Sequence, residues 1–123
     1  MTETAKTVLV IDDDSQHLSA THEILSAAGY RVLTQDRPFG VTNLIVRHKP
    51  DLVLLDVNMP GLSGDALALI ISDNPLSAST RVVFHSSNDE DSLRLLTRKH
   101  GARGYICKGN PHDLRRKVAA FVA

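Results

Sequence analysis

Val8-Leu9-Val10-Ile11-Asp12-Asp13-Asp14 decides how this chain is read. An apolar run rich in β-branched residues passes directly into acids. Short runs of this kind read as strands buried on both faces of a parallel sheet. A second such unit is Leu52-Val53-Leu54-Leu55-Asp56. Ligands of open parallel sheets bind outside the carboxyl ends of the strands. If the two strands are neighbours, Asp12, Asp13 and Asp56 meet at one mouth. Like charges held that close repel unless a cation joins them. Clustered carboxylate oxygens suit Mg²⁺, a hard ion that keeps several waters and needs few protein ligands beside phosphate oxygens. The expectation is a Mg²⁺-dependent site for phosphoryl chemistry.

Outward from these units, strand and helix patterns alternate five times. Strands are expected at 6–11, 31–35, 51–55, 81–85 and 104–107, and helices at 15–28, 38–48, 64–73, 89–100 and 111–122. Leu18, Ile24, Leu25 and Ala28 define the inner face of the first helix, with Gly29 as its stop. Pro38 suits the first turn of the second. Asn88 is the expected cap of the fourth, ahead of Asp89, Glu90 and Asp91, which suit the positive end of a helix dipole. The fifth takes Asn110 as cap and Pro111 at its first position, with Leu114, Val118 and Phe121 facing inward. This alternation implies α/β architecture, a parallel sheet with helices on both faces. Residues 1–5 read as a frayed leader and 6–123 as one domain.

The 123 residues carry 14 basic and 14 acidic side chains, a balance that does not suggest nucleic-acid or membrane binding. Counted along the sequence, residues 1–62 hold 5 Lys/Arg and 8 Asp/Glu, and residues 63–123 hold 9 and 6, so the halves carry −3 and +3. A single cysteine, Cys107, excludes an internal disulfide and fits a reducing, cytoplasmic compartment. No apolar run approaches the length of a membrane span.

Four groups follow predicted strands at the same sheet edge. Asp12-Asp13 follows the first; helix capping explains one acid there, but Asp14 or Ser15 can supply that cap. Asp56 opens Asp56-Val57-Asn58-Met59-Pro60-Gly61-Leu62-Ser63-Gly64, a turn that exposes its carboxylate. Aspartate can act as a nucleophile and form an acyl phosphate. Ser86 follows the fourth strand and can donate to a phosphoryl oxygen. Lys108 follows the fifth and can pair with Asp56, then with a phosphoryl group.

With these elements in order, the chain resembles the response-regulator receiver domain of bacterial two-component signalling, and is similar to its single-domain chemotaxis type. The matching pieces are Val8–Asp14, Asp56-x-x-Met59-Pro60-x-x-x-Gly64, Ser86, and Gly101-Ala102-Arg103-Gly104-Tyr105 leading to Lys108. The resemblance implies a flavodoxin-like, doubly wound five-stranded sheet of order 2-1-3-4-5 with five helices. It implies that Asp56 is the phosphoacceptor, receiving its phosphoryl group from a phosphohistidine of a sensor histidine kinase or phosphotransfer protein. It implies Mg²⁺ held by Asp13, Asp56 and the main-chain carbonyl of Asn58, with Asp12 reaching it through water. Lys108 is the implied phosphoryl-binding lysine, and Ser86 and Tyr105 the implied switch pair. A downstream protein is expected on the face of the fourth helix, fifth strand and fifth helix, around Arg94, Arg98, Lys99, Tyr105, Arg115 and Arg116. On this reading the chain is not an enzyme beyond its own phosphorylation and dephosphorylation.

The chain departs from the family pattern at Lys108-Gly109, where Lys-Pro is usual, and at His85, where an apolar residue is usual. Glycine widens the allowed backbone, so residues 108–110 are expected to keep more freedom, and Gly109→Pro to enlarge the active population if the native backbone tolerates proline. The remaining histidines, His17, His22, His48, His100 and His112, read as groups scattered over helix surfaces and ends, without metal-ligand spacing. Two other functions compete. Asp12-Asp13-Asp14 contains the Asp-x-Asp spacing of haloacid-dehalogenase-like phosphohydrolases, with Asp12 as nucleophile. A receiver fold can also serve as an interaction module without being phosphorylated.

Overall fold

The computed structural model describes residues 5–123; the expected leader falls mostly on residues 1–4, outside them. The elements in chain order are β1 (Thr7–Ile11), α1 (Ser15–Ala27), β2 (Arg31–Gln35), α2 (Val41–His48), β3 (Leu52–Leu55), α3 (Gly64–Asp73), β4 (Val82–Ser86), α4 (Glu90–His100), β5 (Gly104–Cys107) and α5 (Pro111–Val122). All strand pairs are parallel, in the order β2-β1-β3-β4-β5. The fold class and strand order expected from the sequence are those observed.

Strand alternation divides the core in two. Val8, Val10, Leu52, Leu54, Val83 and Ile106 point to the side covered by α1 and α5. Leu9, Ile11, Val53, Leu55, Val82 and Phe84 point to the side covered by α2, α3 and α4. Every residue of β1, β3 and β4 is buried, as the apolar runs require. Registers of Ile11 with Leu55 and of Leu55 with Phe84 bring the carboxyl ends of three strands level. No helix among the described residues is long and apolar enough to cross a membrane.

Capping sets where the helices begin. Asp14 caps α1, accepting the N–H groups of Gln16 at 2.9 Å and His17 at 3.3 Å. Helix α2 starts three residues later than expected. Gly40 has φ +83° and cannot continue a helix, so Pro38 lies before α2 rather than in its first turn. Helix α4 is capped by Asp89, not Asn88: Asp89 Oδ1 accepts the Ser92 N–H at 2.8 Å. Asn88 is diverted to a partner across the sheet edge. In α1 the buried positions are Thr21 and Leu25, while Ala28 is exposed. In α5 Val122 is buried beside Leu114 and Val118, and Phe121 only partly so.

Two glycines are required by the backbone around the sheet edge. Helix α3 begins so close to the end of β3 that a Cβ on Gly64 would lie 2.0 Å from the Asp56 carbonyl oxygen. Gly109 has φ +113°. Proline is held near φ −65° and cannot adopt that conformation, so the backbone condition attached to Gly109→Pro is not met. Gly109 is a conformational requirement of this turn.

Gly64→Ala should destabilise the fold by about 1–3 kcal/mol, because backbone rather than a movable side chain opposes the added methyl; urea unfolding measures this. Gly109→Ala should lose about 1–2 kcal/mol from the left-handed backbone alone, and Gly109→Pro more. Equal midpoints for Gly109→Pro and the parent chain would refute the backbone argument.

Candidate functional site

The carboxyl edge of the sheet gathers the groups named from the sequence. Asp12 leaves β1 and Asp56 leaves β3; both are buried, whereas Asp13 is exposed. One ligand oxygen from each of the three lies within 4.8 Å of the others. Lys108, after β5, reaches across β3 and β4 into this cluster. Its Nζ donates to Asp12 Oδ2 at 2.7 Å and stands 3.7 Å from Asp56 Oδ2. The expected pairing with Asp56 is therefore the longer of two contacts, and Asp12 holds the ammonium directly. Backbone N–H groups bind the carboxylates as well: Asp14 donates to Asp12 Oδ1 at 3.0 Å and Asn58 to Asp56 Oδ1 at 3.3 Å.

The loop bearing Asp56 is anchored from below. Val57 and Met59 are buried among Leu55, Leu67 and Phe84, and Gly64 donates to the Val57 carbonyl at 2.9 Å. Met59 was read from the sequence only as part of the family motif, and Val57 not at all. The alternation of apolar Val57, polar Asn58 and apolar Met59 is the signal that marks both as anchors.

Ser86 is fully buried at the end of β4, and its Oγ accepts the Asn88 N–H at 3.1 Å. That leaves the hydroxyl hydrogen free to donate. Asn88 Oδ1 takes the Asn58 side-chain N–H at 2.7 Å, so an amide pair joins the loops after β3 and β4. Tyr105 is not beside Ser86. Its hydroxyl donates to Glu90 Oε1 at 2.8 Å on the outer side of α4.

Two histidines enter this neighbourhood. His17 is on the exposed surface of the first turn of α1, as read from the sequence, and its Nδ1 also lies 3.4 Å from Lys108 Nζ. His85 is buried at the end of β4. His100, at the end of α4, sits 3.6 Å from Asp65 Oδ2, with its Nδ1 buried and unpartnered among the described residues.

The basic residues separate into two groups. Arg94, Arg98 and Tyr105 border one cleft of about 470 Å³, joined by Arg103 and Lys117, which the sequence reading left out. Arg115 lies elsewhere, beside Glu23 and Ala27 of α1 and its cap residue Ala28. It is on the opposite flank of α5 from Lys117, which corrects its assignment to the α4–β5–α5 face. Arg116 is tied to Asp113.

Burial dominates the electrostatics. It pushes the Asp56 carboxyl up from 3.8 to about 6; Lys108 opposes this shift, and Asp12 and Asp13 reinforce it. His85 moves the other way, from 6.5 down to about 4, first through burial and then through the Lys108 ammonium. The arrangement offers a cation three converging carboxylates, and a phosphoryl group an ammonium and a hydroxyl. The donors are hard oxygens of the kind Mg²⁺ takes.

Comparison with known proteins agrees with this geometry. The model of the response regulator receiver domain family matches residues 8–119. The phosphate regulon transcriptional regulatory protein PhoB of Pseudomonas aeruginosa is 31% identical over 118 residues, covering 96% of this chain and 51% of PhoB. The chain thus spans about half the length of that relative. Protein PilH of the same organism is 26% identical over 101 residues, covering 82% of this chain and 84% of PilH. Among solved structures, the chemotaxis protein CheY4 of Vibrio cholerae superposes with a TM-score of 0.88 at 21% identity, covering 96% of this chain and 99% of that one. The beryllofluoride-activated receiver domain of Klebsiella pneumoniae RstA gives 0.85 at 25%, covering 95% and 98%. The phosphohydrolase alternative centred on Asp12 gives way to the receiver reading. Both Asp12 oxygens are already engaged, by Lys108 and by the Asp14 N–H.

The shifted groups predict opposite pH trends in metal-free protein. Asp56 has a folded pKa above its unfolded value, so its contribution is fully present below 3.8 and is lost as pH rises through about 6. His85 has a folded pKa below its unfolded value, so its contribution is present above 6.5 and is lost as pH falls toward about 4. Asp56→Asn removes only the first. At neutral pH this variant should be more stable than the parent by about 1–3 kcal/mol. The gap should close as pH is lowered through 6. Urea titrations without Mg²⁺ check both statements.

Proposed function

The chain belongs to the response regulator receiver domain family, and from that premise we propose that Asp56 is the residue it phosphorylates. The supporting observation is the buried Asp56 carboxylate, flanked by Asp12, Asp13 and Lys108. Receiver domains are signalling modules of two-component systems. Residues 6–123 act here as one such domain, phosphorylated by a phosphohistidine of a sensor kinase or phosphotransfer protein in the cytoplasm.

Mg²⁺ would be held by Asp13, Asp56 and the main-chain carbonyl of Asn58, with Asp12 reaching it through water. Bound there, the ion would offset negative charge on the phosphoryl oxygens. The remaining steps fall to side chains. Asp56 is ionised at neutral pH, since its pKa lies near 6. A carboxylate oxygen attacks phosphorus in line with the donor nitrogen, whose bond to phosphorus breaks. Lys108 exchanges part of its interaction with Asp12 for one with the transferred group. Ser86 turns its free hydroxyl hydrogen to the same group.

Signal output follows from Ser86 and Tyr105. For Tyr105 to move inward behind Ser86, it must give up its bond to Glu90. An exposed hydrogen bond of this kind is worth about 0.5–1.5 kcal/mol, a small barrier to switching. A downstream protein then reads the cleft between α4 and α5, where Arg94, Arg98, Arg103 and Lys117 surround Tyr105.

Intact mass after incubation with Mg²⁺ and a small acyl phosphate tests the assignment. The parent chain should gain one phosphoryl group and Asp56→Asn none. Asp13→Ala should weaken Mg²⁺ binding by about tenfold or more, having lost one of few protein ligands. Labelling of Asp56→Asn at the parental rate would remove Asp56 from this role. A parent chain that binds no Mg²⁺ and gains no mass would leave an unphosphorylated interaction module as the reading.

A further inference from the structure

Beside the phosphoryl site, on the other side of Lys108, lies a cavity of about 170 Å³ that the proposed reaction does not use. It sits between α1 and the start of α5, with Ala20 and Ile24 on one wall and Leu114 on the other. Most of its lining is apolar. A closed apolar cavity of about 150 Å³ holds benzene, so a small ring or short branched chain fits this volume.

Its polar lining is Lys108, His17, His85, Thr21 and Asn110, and among the described residues lining it none is acidic. The amino end of the twelve-residue α5 adds a positive dipole there. Asp14 approaches His17 at 3.7 Å but does not line the cavity.

His85 is a second polar side chain there that the proposed reaction does not use. Its relative exposure is 6%, and its residue lines the cavity. A neutral imidazole can donate one hydrogen bond to a group that enters the cavity. Burial keeps it neutral at neutral pH, so it enters as a hydrogen-bonding ring rather than a charge. Gly109, the second departure from the family pattern, borders the same cavity; a Cβ there meets nothing within 4 Å.

We propose that this cavity binds a small organic carboxylate with an aromatic or branched apolar body. The body lies against Ala20, Ile24 and Leu114. One carboxylate oxygen takes the Lys108 hydrogen now facing His17 Nδ1, 3.4 Å away. The other accepts from the His85 ring. Because Lys108 is shared, such a ligand and the phosphoryl group compete for one ammonium, and the competition is reciprocal. This second statement rests on the proposed phosphoacceptor site; the binding statement does not.

The test is a titration of the metal-free full chain, followed by backbone amide shifts, with benzoate as probe. Benzyl alcohol supplies the ring without charge, and inorganic phosphate the charge without a ring. Benzoate should move amides near His17, His85 and Gly109 saturably, with both controls about tenfold weaker or worse, the loss expected for one charge-assisted contact. His85→Leu and Ala20→Phe, one removing the ring and one filling the space, should each weaken benzoate by about the same factor. Shifts without saturation, shifts centred elsewhere, phosphate binding as tightly as benzoate, or unchanged affinity in both variants would each overturn the site. Titration with Mg²⁺ and beryllofluoride then reads the competition. Weaker benzoate binding supports the shared lysine, and unchanged binding in protein that has taken up beryllofluoride refutes it. Failure to take up beryllofluoride refutes the phosphoacceptor reading instead, and leaves the cavity to be judged by the benzoate arm alone.

Discussion

Buried like charge is the constraint around which this molecule is arranged. Asp12 and Asp56 end adjacent parallel strands, so the sheet itself forces their carboxylates together. Burial raises what this proximity costs, as the upward shift of Asp56 shows. Lys108 is the described cation that relieves it, at 2.7 Å from one carboxylate and 3.7 Å from the other. The ammonium must come from the far side of β4, and the left-handed backbone at Gly109 turns the chain there. A site balanced in this way favours whatever adds positive charge or takes up negative charge.

Precision at the edge comes from the core beneath it. Val57 and Met59 hold the loop after β3 by ordinary apolar burial, and the tight approach of Gly64 to Asp56 closes the turn into α3. The Asn58–Asn88 amide pair spans two loops that share no strand contact of their own. The edge is therefore held from below by side chains and across the top by hydrogen bonds.

The sequence made the sheet legible because strands buried on both faces leave continuous apolar runs, and those runs end in acids or a lysine. It also made legible which side chains share one edge. Distant competition was not legible. Asn88 has the right chemistry to cap α4, but Asn58, thirty residues away, captures its side chain and Asp89 caps instead. Gly40 read as part of a helix because its left-handed φ has no local signature beyond glycine itself. Arg115 and Lys117 lie two residues apart and look alike in sequence, yet they emerge on opposite flanks of α5. The approach of His17 to Lys108 came into view only when α1 and the end of β5 were brought together.

The sheet separates two apolar layers whose side chains do not mix. One is shared by α1 and α5, the other by α2, α3 and α4. Tyr105 and Leu93 belong to the second layer, Ile106 and Leu114 to the first. A rearrangement of α4 therefore repacks one layer while the other keeps the strands in register. Slow amide exchange should divide the same way, with α4 opening at lower free energy than the β1–β3 centre. The backbone of the sheet acts as a bulkhead: it lets one half of the molecule be soft without loosening the half that carries α1.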